Sequence, residues 1–245
     1  MHPEFVFQGR TFLYYDILNY VAMAAVALYL FCVLPSIQIK RSQILLFLVL
    51  GYPVQLFGGK ILPSVYYYMT HRTGTPVSLK MYFMQWAGRF FHSVFLSSLA
   101  YTLVICKVFR WPTKKVLDLW VVGVLMVSAI GRVGCVLQGC CQGKACDLPW
   151  AVHLPPNLTV ARHPTQIYML IVETVLTIFL WFFNKKKRYD GQVFWMAIFL
   201  YSIYRILIET IRVNPTYYGL TPAQIFSIFS LGLSGWVLYK QKHAQ

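Results

Sequence analysis

The sequence predicts an all-α membrane protein with seven transmembrane helices. Of its 245 residues, 58% are hydrophobic and only 12% are charged, a composition more apolar than that of a typical soluble domain. Seven runs of about twenty apolar residues, each long enough to cross a bilayer, follow one another along the chain. They lie at Phe12–Leu34, Gln43–Tyr66, Phe83–Cys106, Val116–Leu137, Thr165–Phe183, Val193–Ile211 and Thr221–Leu238. Because the connections are short, residues 1–245 are expected to form a single transmembrane domain.

Local signals support the individual spans. The first apolar run is too long for the core of a signal peptide and has no small-residue cleavage site after it, so we expect it to be retained. The fourth span ends in the glycine-rich segment Gly131–Lys144. Pro164, at a first helical position, marks the start of the fifth span.

The basic residues indicate membrane topology rather than a nucleic-acid partner, although the net charge is +15 at pH 7. Twelve of the 22 lysines and arginines lie in four regions, which alternate along the chain with connections that hold six. The four regions are Lys40–Arg41, Lys107–Lys115, Lys185–Arg188 and the tail at Lys240 and Lys242. By the positive-inside rule, the N-terminus is predicted outside and the C-terminus in the cytoplasm, as seven spans require.

Four further cations lie within the predicted spans, namely Lys60, Arg89, Arg132 and Arg205. Intramembrane cations are costly and usually functional. At about 1.5 Å of rise per residue, Arg132 lies roughly 24 Å and Arg205 roughly 18 Å from the cytoplasmic ends of their spans. All four therefore fall in the outer half, near His92. The sequence predicts an anion-binding cluster at the outer headgroup level, unless each side chain separately reaches the interface.

Arg205, Glu209 and Arg212 have the i, i+4, i+7 spacing of one helical face. Glu209 would then brace both guanidinium groups as a rigid fork, which suits bidentate capture of a phosphate. The alternative is a structural ladder of ion pairs facing the bundle interior. Glu173 and Asp118 are further buried acids, and we expect them to be partners for cations or polar groups rather than catalysts.

Two loop segments complete the polar sequence features. The glycines of Gly131–Lys144 allow close approach of the backbone to a headgroup and leave N–H groups available to an anion. A second segment, Arg162–Tyr168, leads into the fifth span.

At these residues the chain resembles the prolipoprotein diacylglyceryl transferases of the bacterial inner membrane. The family's G-R-x-G motif and glycine-rich loop match Gly131–Gly143, and its R-H-P-[ST]-Q-x-Y motif matches Arg162–Tyr168. Its Y-x-x-x-R-x-x-x-E-x-x-R motif matches Tyr201–Arg212. The S-F-H of its third span is similar to Phe90–His92, and the early tyrosine of its first span is similar to Tyr15.

The resemblance implies an enzyme that moves the diacylglyceryl group of phosphatidylglycerol to the lipobox cysteine thiol of a preprolipoprotein, with an active site toward the outer face. Arg132 and Arg205 would hold the phosphate and stabilise the leaving group, while His92 would help to deprotonate the thiol. Neither a metal nor an organic cofactor is expected. Further candidate substrate-binding residues are Tyr15, Lys60, Gln138, Gly143, His163, Gln166, Glu209 and Arg212.

The chain departs from the family pattern at several positions. Ser93 and Val94 stand where the family usually has two glycines, Cys135 replaces an asparagine, and Cys140 replaces a carboxylate. These departures leave two other functions open: a same-family transferase with a non-protein acceptor, and a non-catalytic protein that binds or transports anionic lipid. A transporter would more often show inverted repeats and interrupted helices, and the sequence shows neither.

Four of the six cysteines are clustered, at Cys135, Cys140, Cys141 and Cys146. One interpretation is small apolar packing residues. A second is a structural disulfide, for example from Cys135 or Cys140 to Cys146, outside the cytoplasm. A third is a soft-metal site, although this spacing matches no common zinc motif.

Overall fold

Long α-helices make up most of the chain, as predicted. The computed structural model describes residues 4–7, 10–70, 91–154, 157–214, 216 and 219–243. Within these residues, the helices are α1 (Tyr14–Val33), α2 (Arg41–Thr70), α3 (Phe91–Val108), α4 (Thr113–Gln138), α5 (Thr165–Lys186), α6 (Gln192–Glu209) and α7 (Pro222–His243). A short 3-10 helix, Leu34–Ile37, follows α1.

Six helical segments of the described chain are long and apolar enough to cross a membrane. They are Ile17–Ile37, Arg41–Ile61, Phe91–Val108, Thr113–Gln138, Thr165–Lys186 and Gln192–Glu209. The seventh predicted span also forms a helix, α7, but it carries the buried polar residues Gln224, Ser227 and Ser234, which lower its hydropathy. A seventh span and the orientation of the termini therefore stay predictions. Residues 83–90 of the third predicted span lie outside the described residues.

Two short antiparallel hairpins accompany the helices, so the structure is not purely α. Strand β1 (Glu4–Phe7) pairs with β2 (Arg10–Leu13), and β3 (Val152–Leu154) pairs with β4 (Asn157–Arg162). Apart from Phe12 and Leu13, which begin the first predicted span, both hairpins fall outside the apolar runs from which the helices were predicted. The second hairpin matters for function because β4 ends at the segment that leads into α5.

The chain divides into two compact units, Phe31–Val116 and the pair of segments Met1–Leu30 and Leu117–Gln245. In the first unit, α2 and α3 pack closely at Gly58, where a Cβ atom would collide with the side chain of Ser97. Ser93 Oγ donates a hydrogen bond of 2.5 Å to the carbonyl of Gly58. Ser93, at a position where the family usually has glycine, thus ties two helices together.

In the other unit, Asp118 anchors the start of α6. Its carboxylate accepts hydrogen bonds from the backbone N–H groups of Gly191 (2.8 Å) and Phe194 (2.9 Å), and it forms an ion pair with Lys187 Nζ at 2.7 Å. Asp118 is fully buried, and these three donors satisfy a charge that would otherwise be costly to bury. The prediction that Asp118 is a structural partner of cations and polar groups is confirmed.

Candidate functional site

Arg132 is held in place by a buried carboxylate. Its Nε and Nη2 atoms lie 3.4 and 3.3 Å from the two oxygens of Glu173, whose side chain is 0% exposed. Tyr204 donates its hydroxyl hydrogen to Glu173 Oε1 at 2.9 Å. The prediction that Glu173 partners a cation is confirmed. Because both carboxylate oxygens are engaged, the orientation of the guanidinium plane is fixed as well as its position.

Arg205 is buried and incompletely paired. It is 8% exposed, and its Nη2 atom lies 3.1 Å from Glu209 Oε2. Its Nε and Nη1 atoms have no hydrogen-bond partner among the described residues. A buried donor without a partner costs about 1–3 kcal/mol, and more when it is charged. Two such donors on one guanidinium group therefore indicate a site that an anion would complete.

Tyr201 interacts with three arginines, which we call the arginine cluster. Its phenol group interacts electrostatically with Arg132, Arg205 and Arg212. Arg132 is on α4, Arg205 on α6, and Arg212 follows α6, so three separate segments bring positive charge to one tyrosine. An anion of more than one charge, such as a phosphodiester with a developing second charge, would be stabilised there.

The predicted helical face of Arg205, Glu209 and Arg212 is only partly correct. Helix α6 ends at Glu209, so the regular spacing stops before Arg212. Glu209 pairs with Arg205, while its other carboxylate oxygen accepts a hydrogen bond from Asn214. The backbone of Arg212 forms an isolated antiparallel β-bridge with Gly143, and the Arg212 Nη1 atom lies 3.8 Å from Met169 Sδ. The prediction that Glu209 braces both arginines is therefore wrong.

The glycine-rich loop joins the three motif segments through main-chain hydrogen bonds. Gly143 N donates to the His163 carbonyl at 3.1 Å, and Lys144 N donates to the Ile211 carbonyl at 2.7 Å. A Cβ atom at position 143 would lie only 2.6 Å from His163 Cβ and 2.9 Å from the His163 oxygen. Only glycine fits there. By contrast, a Cβ atom at Gly131 would meet no heavy atom within 4 Å.

Polar side chains at the start of α5 hold the same loop. Gln166 Nε2 donates to the Cys140 carbonyl at 2.5 Å, and Thr165 Oγ1 donates to the Cys141 carbonyl at 2.6 Å. Both side chains are buried, so these hydrogen bonds attach the loop to the start of α5. In the described structure His163 Nδ1 and Gln166 Oε1 have no partner, and the His163 ring lies 6.2 Å from that of Tyr168.

All six cysteines are free, and three of them are close together. The sulfur atoms of Cys135, Cys140 and Cys141 all lie within 4.8 Å of one another. Hydrogen bonds from Cys135 and Cys140 hold the pKa of the Cys141 thiol far below its ordinary value, although burial opposes this shift. Hydrogen bonds with Cys135 and Cys141 raise the pKa of the Cys140 thiol. The disulfide considered for Cys146 is not formed.

An apolar groove lies beside the arginine cluster. It has a volume of about 460 Å³ and runs along α5 and α6. Its lining is aliphatic except for Tyr204, the same residue that donates to Glu173. The side chains that form it are Val172, Leu176, Leu200, Ile203, Tyr204, Leu207, Ile208 and Ile211. Because Tyr204 also donates to Glu173, this apolar surface lies within one side chain of the Arg132–Glu173 pair.

The structure brings together some of the predicted site residues and describes others separately. The unit formed by Met1–Leu30 and Leu117–Gln245 contains Arg132, Gln138, Gly143, His163, Gln166, Arg205, Glu209 and Arg212. Gln138 is the last residue of α4. Lys60 on α2 and His92 on α3 belong to the unit Phe31–Val116. Arg89 and the side chain of Tyr15 lie outside the described residues.

Two tyrosines of α6 add to the predicted set. Tyr201 was noted only as the first residue of a motif, and Tyr204 was missed. Their hydroxyl groups inside an apolar span are the signal that points to them, because a hydroxyl group at that depth needs a polar partner.

Comparison with known proteins matches most of the chain to one family model and parts of it to several relatives. The family model "Prolipoprotein diacylglyceryl transferase" matches residues 10–240. A phosphatidylglycerol–prolipoprotein diacylglyceryl transferase of Clostridium tetani is 35% identical over 134 residues, which are 51% of this chain and 53% of the relative. A protein of the same name from Methylobacillus flagellatus is 30% identical over 184 residues, 73% of this chain and 65% of the relative. The chain spans about half the length of several curated relatives that it matches.

Proposed function

The chain belongs to the prolipoprotein diacylglyceryl transferase family, and we propose that it transfers the diacylglyceryl group of phosphatidylglycerol to the lipobox cysteine thiol of preprolipoproteins. The reaction forms a thioether and releases glycerol phosphate. The matching family model, over residues 10–240, covers the segments that contain Arg132 and Arg205. The observation that carries the proposal is the buried Arg205 guanidinium group, two of whose donors have no partner among the described residues. Tyr201 interacts electrostatically with both Arg205 and the fixed Arg132.

The proposed chemical step is a displacement at carbon. The thiol loses its proton, and the thiolate sulfur attacks the glyceryl carbon that carries the phosphate. The carbon–oxygen bond breaks, and its electron pair leaves on the phosphate oxygen of glycerol phosphate. Arg132 and Arg205 stabilise the charge that develops on this leaving group, which is the main contribution expected from fixed cations. By the motif match, His92 takes up the thiol proton.

The surroundings of the arginines suit a phospholipid rather than a soluble phosphate ester. The apolar groove along α5 and α6 would accept an acyl chain while the headgroup phosphate contacts the arginines. Tyr204 belongs to both places, because it lines the groove and donates to Glu173. Gly143 and Gln166 would keep the loop close to the headgroup.

We further propose that the protein is a multi-pass protein of the bacterial inner membrane, with seven spans, an external N-terminus and a cytoplasmic C-terminus. The distribution of lysines and arginines supports this orientation. In that orientation the arginine cluster faces the outer leaflet, where lipid donor and lipidated product diffuse laterally. The chemistry requires no cofactor.

The proposal can be tested with purified protein in detergent, phosphatidylglycerol and a synthetic lipobox peptide. We expect glycerol phosphate to be released in proportion to lipidated peptide, which mass spectrometry would detect as a thioether. A peptide with serine in place of the lipobox cysteine is the matched control. Release with lipid extract but not with peptide would indicate a different acceptor. Binding of phosphatidylglycerol without release of glycerol phosphate under any condition would refute the transferase.

A further inference from the structure

Three cysteine sulfurs form a compact triangle at the end of α4. Cys135 is in the last turn of the helix, and Cys140 and Cys141 follow it in the glycine-rich loop. All three sulfurs lie within 4.8 Å of one another. Three sulfur ligands at about 2.3 Å from one Zn²⁺ ion would be about 4 Å apart. The observed spacing therefore needs inward movement of less than about one ångström to coordinate a single ion.

The loop that presents these sulfurs is held in an unusual conformation. Cys141 has a φ angle of 62° and Gly139 one of 67°. A residue other than glycine in the left-handed region costs about 1–2 kcal/mol, so the surrounding structure must enforce it. The fixing contacts are the hydrogen bonds that the Cys140 and Cys141 carbonyls accept from Gln166 and Thr165, and a bond from Cys140 N to the Cys135 carbonyl at 3.2 Å.

The charges around the triangle favour a thiolate at Cys141. Arg132 and Arg212 both interact electrostatically with Cys141. Three thiolates and one divalent cation carry a net charge of −1, which these arginines can balance. Soft thiolate ligands select Zn²⁺ and similar ions over Mg²⁺ or Ca²⁺. Cys146 is absent from the triangle, so the described part of the chain supplies three ligands.

We propose that Cys135, Cys140 and Cys141 bind one soft divalent cation of the Zn²⁺ type. With three protein ligands, the fourth position is left to water or another small ligand, as in open zinc sites. Cys140 and Cys141 are half-buried, which provides a route for the ion. This site is additional to the phosphate-binding arginines and does not depend on the transferase activity proposed above.

The test uses full-length protein purified with a phosphine reductant, treated with a chelator and titrated with ZnCl₂ or CoCl₂. We expect one ion per chain and, with Co²⁺, the absorption bands of thiolate coordination. Loss of an outer partner of a metal ligand alone costs about 10–100-fold in affinity. Each of Cys135→Ser, Cys140→Ser and Cys141→Ser should therefore weaken binding by at least about a hundredfold.

Cys146→Ser is the matched control and should bind Zn²⁺ as tightly as the unmodified chain. A second readout needs no variant: Zn²⁺ should protect Cys135, Cys140 and Cys141 from alkylation, while Cys146, outside both the triangle and the apolar spans, reacts equally with and without Zn²⁺. Substoichiometric binding, equal weakening in Cys146→Ser, or protection of other cysteines would overturn the proposal. So would a disulfide within the triangle that persists in the reductant.

Discussion

Replacement of Arg205 by lysine tests whether the geometry of the guanidinium group, rather than its charge, supports the reaction. Lysine can keep the ion pair with Glu209, which lies 3.1 Å from Arg205 Nη2. It cannot replace the two unpartnered donors, Nε and Nη1. A hydrogen bond to a charged group contributes about 1.5–3 kcal/mol, so the loss of two amounts to about 3–6 kcal/mol. At 1.36 kcal/mol per tenfold change in rate, kcat/KM for glycerol phosphate release should fall about 10²–10⁴-fold.

The assay compares initial rates of glycerol phosphate release for the unmodified chain, Arg205→Lys and Arg205→Ala. Arg188→Lys is the matched control, because Arg188 is exposed and lies in the connection before α6. We expect the control to retain its rate. If Arg205→Lys turns over within tenfold of the unmodified chain, Nε and Nη1 of Arg205 do not contribute to the transition state, and bidentate phosphate capture by Arg205 is disproved.

Four further changes test other parts of the site. Glu173→Gln should cost about 3–5 kcal/mol of stability, since it leaves Arg132 buried without its counter-charge. Thermal unfolding in detergent measures this loss, and an unchanged unfolding midpoint would contradict the prediction. Gly143→Ala should lower the unfolding temperature because its Cβ atom would lie 2.6 Å from His163 Cβ, whereas Gly131→Ala, with open space, should not. In metal-free protein, the lowered pKa of Cys141 leaves a thiolate present as the pH falls. Mass spectrometry should therefore find Cys141 alkylated at about pH 5.5, where ordinary thiols are protonated. Equal modification of all cysteines at this pH would argue against the lowered pKa. His92→Ala should reduce transfer more at neutral than at alkaline pH, where the acceptor thiol ionises without a base, and an equal loss at every pH would indicate a packing role.

The lengths of the apolar runs predicted the helices because burial and the bilayer act on whole segments, whereas the orientation inferred from charge placement stays a prediction. The acids were also predictable: a buried carboxylate in an apolar span needs a partner, and Glu173 and Asp118 each have one. The behaviour of Arg212 was not, since its spacing fits a helical face only if α6 continues past Glu209. The position at which a helix ends depends on the loop that packs against it.

The cysteine triangle was the other feature that spacing could not predict. Cys135 is separated from Cys140 by five positions, and an ideal helix would place them on different faces. The chain instead leaves the helix after Gln138 and turns through left-handed conformations at Gly139 and Cys141. Those angles depend on the hydrogen bonds from Gln166 and Thr165, which come from a helix more than twenty residues away.

The main-chain ladder through Gly143 has a consequence for how the sequence can change. It joins three distant segments by backbone atoms alone, between Gly143 and His163 and between Lys144 and Ile211. Backbone donors and acceptors are the same for nearly every amino acid, so this framework tolerates new side chains along the loop, except at Gly143, where there is no space, and at Gly139, where φ is positive. Side chains of the loop can therefore change while its backbone hydrogen bonds stay the same. Cys135 and Cys140, at the positions where the family resemblance implies an asparagine and a carboxylate, are compatible with such an unchanged backbone framework.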